Sequence, residues 1–169
     1  DAIFCDQKRV DYIGLNFVPT SKRKITVAEA QKICKKMRHT KTVGVFQNQD
    51  IQKVNAIAQK LNLDYIQLAG DENDAFITKC IRPVFKTIAI KKNKPINTIA
   101  TFPIFDGPTP GSGKQFPHNL IKNIGKPFFL AGGITPKNLR RILQKVSPYG
   151  IDLASGIETH GIVDQKKIA

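Results

Sequence analysis

Cysteines, acidic residues and long apolar runs are all scarce in this sequence, and each scarcity excludes a class of protein. The three cysteines, Cys5, Cys34 and Cys80, lie far apart with no paired spacing. This excludes a disulfide framework or a zinc site and predicts reduced thiols. No apolar run approaches the roughly 20 residues that a membrane span needs. The first residues show no charged region followed by an apolar core, so we expect no signal peptide and a cytoplasmic location.

Acidic residues are outnumbered by basic ones, 13 against 27, which gives a formal net charge of +14. Such a charge is typical of proteins that bind nucleic acid. The lysines, however, are spread along the whole chain, and no segment interleaves them with aromatic residues as a single-strand binder would. We interpret the charge as a positive field that attracts an anionic metabolite. Binding of nucleic acid or of a protein partner is the less favoured alternative.

The 169 residues predict a single α/β domain, since 41% of them are hydrophobic and the chain is long enough for a sizeable core. Strand-like and helix-like segments alternate with short connections, which indicates parallel strands joined by helical crossovers. A capping box of Thr26 and Glu29 marks the start of one helix. Strands are predicted near residues 12–18, 42–47, 64–69, 85–90, 102–106, 127–131 and 150–154. Helices are predicted over residues 1–10, 28–39, 51–61, 75–82 and 118–124, and from Pro136 to about Val146.

Small residues end nearly every predicted strand, as in a TIM (β/α)8 barrel whose loops all open at one end. A doubly wound sheet is the alternative, but it usually carries one glycine-rich fingerprint after its first strand. Seven strands are one fewer than a closed barrel contains. The count suggests that a first strand, ahead of Asp1, is absent from this chain.

Two glycine turns follow the last two predicted strands. Gly132 and Gly133 come directly after one strand, and Ser155 and Gly156 come directly after the next. Glycine lets the backbone turn tightly or approach a ligand closely, and a helix predicted from Pro136 adds a positive helix end. In barrels, the loops after the seventh and eighth strands usually hold a phosphate group. We therefore predict a phosphate-binding site here, with simple turn formation as the alternative.

Six segments in order resemble the phosphoribosylanthranilate isomerase family of tryptophan biosynthesis. They span almost the whole chain and read DYIGLNFVPTSKRKI, VGVFQN, DYIQLAGDE, FDGPTPGSGKQF, FFLAGGITPKNL and IDLASGIE. The resemblance implies an isomerase that converts a phosphorylated aminoaldose ester of anthranilate to an aminoketose in an Amadori rearrangement. It implies a small phosphosugar substrate, no metal or organic cofactor, and a monomer or homodimer.

The resemblance also implies roles for individual residues. Asp106 matches the general acid that opens the sugar ring, although an aspartate before Gly107 also suits a simple turn cap. Arg23 matches the arginine that faces the anthranilate carboxylate, with a solvated loop charge as its alternative. Gln67 matches a strand-end glutamine near the substrate, and Gly111 and Gly113 match the mobile loop over it.

The sequence departs from the family pattern at three places. The family's general base is a cysteine on the first barrel strand, which would precede Asp1 and is not in this sequence. Cys5 does not replace it, because Cys5 falls in the helix that follows. Ala69 stands where the family usually has histidine, and Val163 where a lysine is common. A related barrel that acts on another phosphorylated sugar is therefore the second hypothesis.

Overall fold

The structure is a computed structural model, and it describes residues 1–90, 97–107 and 124–168. Its contacts divide the chain into two units, Asp1–Lys86 with Ile99–Thr101, and Thr87–Thr98 with Phe102–Ala169. The helices of the described residues are α1 Ala2–Gln7, α2 Val27–Cys34, α3 Ile51–Lys60, α4 Asp74–Ile77 and α5 Pro136–Leu143. The strands are β1 Tyr12–Asn16, β2 Lys41–Phe46, β3 Tyr65–Leu68, β4 Val84–Ala89, β5 Phe102–Asp106, β6 Phe129–Leu130, β7 Gly150–Ile151, β8 Glu158–Thr159 and β9 Ile162–Val163.

The first unit contains the parallel strands β1, β2, β3 and the start of β4, each paired with the next along the chain. One face of this sheet packs against the helices. Strand residues such as Leu15, Phe46 and Ile66 form a core there with Ala30 of α2 and Val54 of α3. Because side chains alternate along a strand, the remaining strand residues lie on the other face.

The sheet of the first unit has one face that points away from the helices. This face is aromatic at the amino ends of the strands. Tyr12, Tyr65 and Phe85 contact one another edge to face, with ring centroids 5.2–5.5 Å apart. The same alternation places Asn16 and Gln67 on this face, at the carboxyl ends of β1 and β3. Polar side chains therefore lie at one end of the face and an aromatic cluster at the other.

The second unit contains the parallel strands β5, β6 and β7. Phe105 and Leu130 are fully buried in a core with Ile142 of α5, so they face the helix. Phe102 and Phe129 lie on the opposite face with Tyr149. Asp106 is four residues after Phe102 on the same strand, and side chains alternate between the two faces. Asp106 therefore also lies on the face away from the helix, at the carboxyl end of β5.

The helix α2 is shorter than predicted, and the reason is a buried carboxylate. Its capping box is present as expected, with Thr26 and Glu29 exchanging hydrogen bonds. The helix ends at Cys34 rather than near residue 39. The Asp6 carboxylate accepts hydrogen bonds from the backbone N–H groups of residues 38–40, so those groups have partners outside any helix.

Elsewhere, one predicted helix is shorter in the structure, one hairpin was not predicted, and one predicted helix is not tested by the described residues. The helix α4 covers only Asp74–Ile77, because the chain then turns and Ile81 donates its N–H to the side chain of Asn55. The antiparallel hairpin of β8 and β9 was not predicted. Its turn places His160 and Gly161 at positive φ, 52° and 77°, and only the glycine signals this in the sequence. The helix predicted over residues 118–124 lies almost wholly outside the described residues.

Candidate active site

The glycine turn after β6 leaves two backbone donors available. Gly132 and Gly133 adopt positive φ angles of 86° and 63°, which favour glycine because other residues are strained there. Asn138 of α5 holds the turn, since its Nδ2 donates to the Gly133 carbonyl at 2.8 Å and its Oδ1 accepts from Thr135 N–H at 2.9 Å. The N–H groups of Gly132 and Gly133 have no acceptor among the described residues. They can therefore donate to an anion.

The turn after β7 lies directly against the turn after β6. A short 3-10 helix, Ser155–Ile157, follows β7 after residues 152–154. A Cβ atom on Gly156 would be 1.7 Å from the carbonyl oxygen of Ile134, so only glycine allows this approach. The structure thus brings together the four residues predicted as a phosphate site. Whether they bind phosphate stays a prediction.

The electrostatics of these paired turns favour an anion. The helix α5 begins at Pro136, three residues beyond Gly133, and a helix amino end carries a partial positive charge. Backbone N–H groups together with a helix amino end are a common way to bind phosphate. Lys137 in the first turn of α5 adds a full positive charge near this end.

Asp106 lies at the same edge of the second unit. In the register of β5 and β6, Phe105 pairs with Leu130. Asp106, the next residue, therefore lies across from Ala131, which directly precedes Gly132. Its side chain is buried at 7% exposure. One carboxylate oxygen accepts the Gly107 N–H at 2.7 Å. The turn-cap contact expected as the alternative is therefore present, and it orients the carboxyl group.

The remaining candidates of the described residues lie in the first unit. Arg23 lies exposed in the loop after β1, and its backbone N–H donates to the hydroxyl of Ser21 at 3.1 Å. Gln67 lies half-buried on β3, in register with Val45 and Phe85. Gly111 and Gly113 lie outside the described residues, so their predicted loop role stays a prediction.

A buried ion pair in the first unit was not predicted. Lys86 of β4 donates from Nζ to the carbonyl of Gly70 at 2.6 Å and to the Glu72 carboxylate at 3.0 Å. Glu72 also accepts the N–H groups of Asn48 at 2.7 Å and Gly70 at 2.9 Å. The loops after β2 and β3 are thereby joined to β4. The signal in the sequence was a single lysine inside the apolar segment FKTIAI.

The three cysteines are half-buried free thiols, and Cys34 and Cys80 pack against the core of the first unit. Burial raises the pKa of the Cys5 and Cys34 thiols. Burial, with a further contribution from the Glu72 charge, raises the pKa of Cys80 to about 11. A thiol with a raised pKa is seldom a thiolate at neutral pH, and the thiolate is the reactive form. All three are free, as predicted.

A parallel α/β fold with small residues and polar groups at the carboxyl ends of its strands is typical of the (β/α)8 barrels. The family model described as "N-(5'phosphoribosyl)anthranilate (PRA) isomerase" matches residues 1–169. The chain belongs to this family of isomerases of tryptophan biosynthesis.

Named relatives and solved structures agree with the family match. The chain is 35% identical to the N-(5'-phosphoribosyl)anthranilate isomerase of Streptococcus mutans, over 94% of this chain and 83% of the relative. It is 29% identical to the solved phosphoribosyl anthranilate isomerase of Thermus thermophilus, with a TM-score of 0.88 over 99% and 88% of the two chains. Another structure at 24% identity and TM-score 0.79, over 99% and 88%, shows the same fold. It is an isomerase in complex with reduced 1-(o-carboxyphenylamino)-1-deoxyribulose 5-phosphate.

The predicted TIM barrel and the predicted isomerase are therefore confirmed. Among the described residues, no helix has the length and apolar character that a membrane crossing requires.

Proposed function

We propose that this chain converts N-(5'-phosphoribosyl)anthranilate to the corresponding aminoketose, with Asp106 as the general acid. In this mechanism the Asp106 carboxyl donates its proton to the ring oxygen of the ribose. The bond between that oxygen and the first sugar carbon breaks, and the ring opens to an iminium ion. The burial of Asp106 and its fixed orientation by the Gly107 N–H support this role, because a general acid must be held within hydrogen-bond reach of its target.

The second step removes a proton from the second sugar carbon and gives an enolamine, which becomes the ketone. The family resemblance assigns this step to a cysteine expected ahead of Asp1. The thiols of Cys5, Cys34 and Cys80 are poor candidates, since burial raises the pKa of each. Among the residues of this sequence, the proposal assigns the ring opening to Asp106 and the binding of the substrate to the glycine turns, Arg23 and Gln67.

The phosphate group of the substrate is placed, in this proposal, between the two glycine turns. The N–H groups of Gly132 and Gly133, the turn at Ser155 and Gly156, and the amino end of α5 all favour a dianion there. The observation that carries the proposal is the contact of Gly156 with the Ile134 carbonyl. It puts the turn after β6 and the turn after β7 side by side in the unit that holds Asp106.

In the first unit, Arg23 and Gln67 are proposed to bind the anthranilate part, with the guanidinium of Arg23 facing its carboxylate. No organic cofactor or metal enters this mechanism. We infer a cytoplasmic enzyme, because its proposed substrate is a soluble phosphorylated metabolite, and a monomer or homodimer, as the family resemblance implies.

The proposal is tested with Asp106→Asn, in a protein that carries the expected cysteine strand ahead of Asp1. Single-turnover conversion is followed by the loss of anthranilate-ester fluorescence. The rate should fall by about 10²–10⁴, the usual contribution of general acid catalysis. Calorimetry with the reduced ligand of the solved relative, hereafter the reduced analogue, should show nearly unchanged affinity, since the amide keeps an oxygen for the Gly107 N–H. Unchanged turnover would remove Asp106 from the acid role.

Asp11→Asn is the matched control. Asp11 is exposed at the amino end of β1, opposite the carboxyl ends where the candidates lie, and its substitution should leave turnover unchanged. Replacing the cysteine of the added strand with serine should abolish turnover while Asp106 remains. Binding of the reduced analogue without any turnover in the complete protein would instead favour a related phosphosugar barrel.

A further inference from the structure

A second side-chain amide accompanies Gln67 on the same face of the first unit. In the strand register, Asn16 of β1 pairs with Val45 of β2, and Val45 pairs with Gln67 of β3. Residues paired in parallel strands project to the same side, which is the face away from the helices. Asn16 and Gln67 thus lie two strands apart, about 10 Å, with the apolar Val45 between them. All three are half-buried.

Asn16 also closes the loop that carries Arg23. Its backbone carbonyl accepts the N–H of Ile25 at 2.9 Å, on the far side of the loop. Its side-chain Oδ1 accepts the N–H of Val18 at 2.9 Å, on the near side. With Oδ1 engaged, the orientation of the amide is fixed. The Nδ2 group then has no acceptor among the described residues and offers two N–H donors.

The largely apolar sequence YIGLNFV makes this residue informative, because Asn16 has the only amide side chain in it. An apolar residue would pack more favourably at this half-buried position, because a polar group that is partly removed from water without a partner carries a cost. The turn at Val18 needs only an acceptor oxygen, which aspartate also supplies and serine supplies more weakly. The turn alone does not explain a donor pair on this face.

We propose that Asn16 is a further substrate-contact residue, whose Nδ2 donates to the carboxylate of the anthranilate ring. The ring would lie against Val45, between the amides of Asn16 and Gln67. Arg23, in the loop that Asn16 closes, would supply the charge for the same carboxylate. This inference rests on the proposed function and adds a neutral donor that fixes the orientation of the ring.

The test uses calorimetry with two ligands, the reduced analogue and the same molecule without its carboxylate. Asn16→Asp keeps the acceptor for Val18 N–H but replaces the donors with a charge. It should weaken binding of the carboxylated ligand about ten- to a hundred-fold, as expected for loss of a hydrogen bond to a charged group. The decarboxylated ligand should bind this variant and the unmodified protein about equally. Asn16→Ser, which keeps an acceptor without adding charge, should show the same pattern to a smaller degree.

Gln59→Glu is the charge-matched control, because Gln59 is exposed on α3 of the same unit and should affect neither ligand. Equal affinity of Asn16→Asp and the unmodified protein for the carboxylated ligand would overturn the inference and leave Asn16 as a loop anchor. Equal weakening for both ligands would also overturn it, since the loss would then not depend on the carboxylate. Failure of the unmodified protein to bind either ligand would overturn the proposed function, and the inference with it.

Discussion

Backbone geometry decides which residues the two proposed phosphate turns can contain. Gly132 and Gly133 are required by their positive φ angles, whereas Gly156 is required by the nearby Ile134 carbonyl. These are different physical reasons. Only the close approach of Gly156 to the Ile134 carbonyl brings the two turns into contact. A side chain at position 156 would force the two turns apart without changing the chemistry of either.

Gly156→Ala is therefore expected to weaken binding of the reduced analogue at least ten-fold. The new Cβ would meet a backbone oxygen at 1.7 Å, and relief of such overpacking usually costs about 1–3 kcal/mol of stability. Calorimetry and urea unfolding measure the two effects. Gly125→Ala is the control, because its Cβ would meet none of the described atoms within 4 Å and should change stability by less than about 1 kcal/mol. Wild-type affinity in Gly156→Ala would contradict the phosphate assignment.

The loops after β2 and β3 depend on the buried pair of Lys86 and Glu72. Both side chains are nearly inaccessible, at 10% and 3% exposure, and each remaining hydrogen-bonding group finds a backbone partner. A buried pair is not in itself a source of large stability, but removing one partner leaves an uncompensated charge. The pair therefore fixes loop positions at the carboxyl end of β3, just beyond Gln67.

Lys86→Met should reduce the free energy of unfolding by about 3–5 kcal/mol, because Glu72 would remain buried without its cation. Adding Glu72→Gln should recover part of the loss, since the neutral amide still accepts a backbone N–H. Lys41→Met is the control. Lys41 pairs with Asp64 at 3.3 Å but is 60% exposed, and exposed pairs contribute at most about 1 kcal/mol. Urea unfolding of the unmodified protein, the two single variants and the double variant measures these differences. If Lys86→Met lost no more free energy of unfolding than Lys41→Met, the buried pair would not fix the loops as argued.

The position of α1 depends on a carboxylate held by backbone donors. The N–H groups of Thr40, His39 and Arg38 lower the pKa of Asp6 from 3.8 to about 2. Because the folded-state pKa lies below the ordinary value, the ionised group stabilises the fold above about pH 4. That contribution is lost as the pH falls from about 4 through about 2.

Asp6→Asn should consequently be less stable than the unmodified protein at pH 6, and the difference should shrink towards pH 2. Urea unfolding at several pH values measures it. Glu29, Asp64 and Asp164 also have lowered pKa values, but they are common to both proteins and cancel in the difference. A difference that did not change between pH 6 and pH 2 would show that the charge of Asp6 contributes nothing.

At the scale of the whole molecule, the alternation of strands and helices was predictable from the pattern of apolar residues. Buried parallel strands are short continuous apolar runs, whereas amphipathic helices have apolar residues three or four positions apart. Each strand of the described residues overlaps its predicted range, apart from the hairpin of β8 and β9. What the sequence could not show were contacts between distant residues. The Asp6 carboxylate ends α2 from 32 or more residues away, and Gly156 is needed because of a carbonyl that no local pattern reveals.

The candidate residues were predictable to the extent that their signal is local. Glycines and other small residues directly after a strand indicate a turn with available backbone donors. The structure has the turn at Gly132 and Gly133 and the turn at Ser155 and Gly156. Asn16 was missed because one amide in an apolar strand looks like a turn residue until the register places it beside Val45 and Gln67. Its proposed role depends on two neighbouring strands that the linear sequence does not align.

The net charge of +14 gives a final prediction for the whole molecule. The proposed substrate carries a carboxylate and a phosphate, so a positive field should speed its approach; such steering raises association rates by about 10–10³ and weakens with salt. The association rate of the reduced analogue should fall at least about ten-fold between about 0.02 M and 0.5 M salt, as the Debye length shortens. The dissociation rate should change much less. Stopped-flow measurement with the same ligand lacking both anionic groups is the control. An association rate independent of salt would mean that the positive charge does not steer this substrate. A steep salt dependence of binding to duplex DNA would then identify nucleic acid as the partner that the charge attracts.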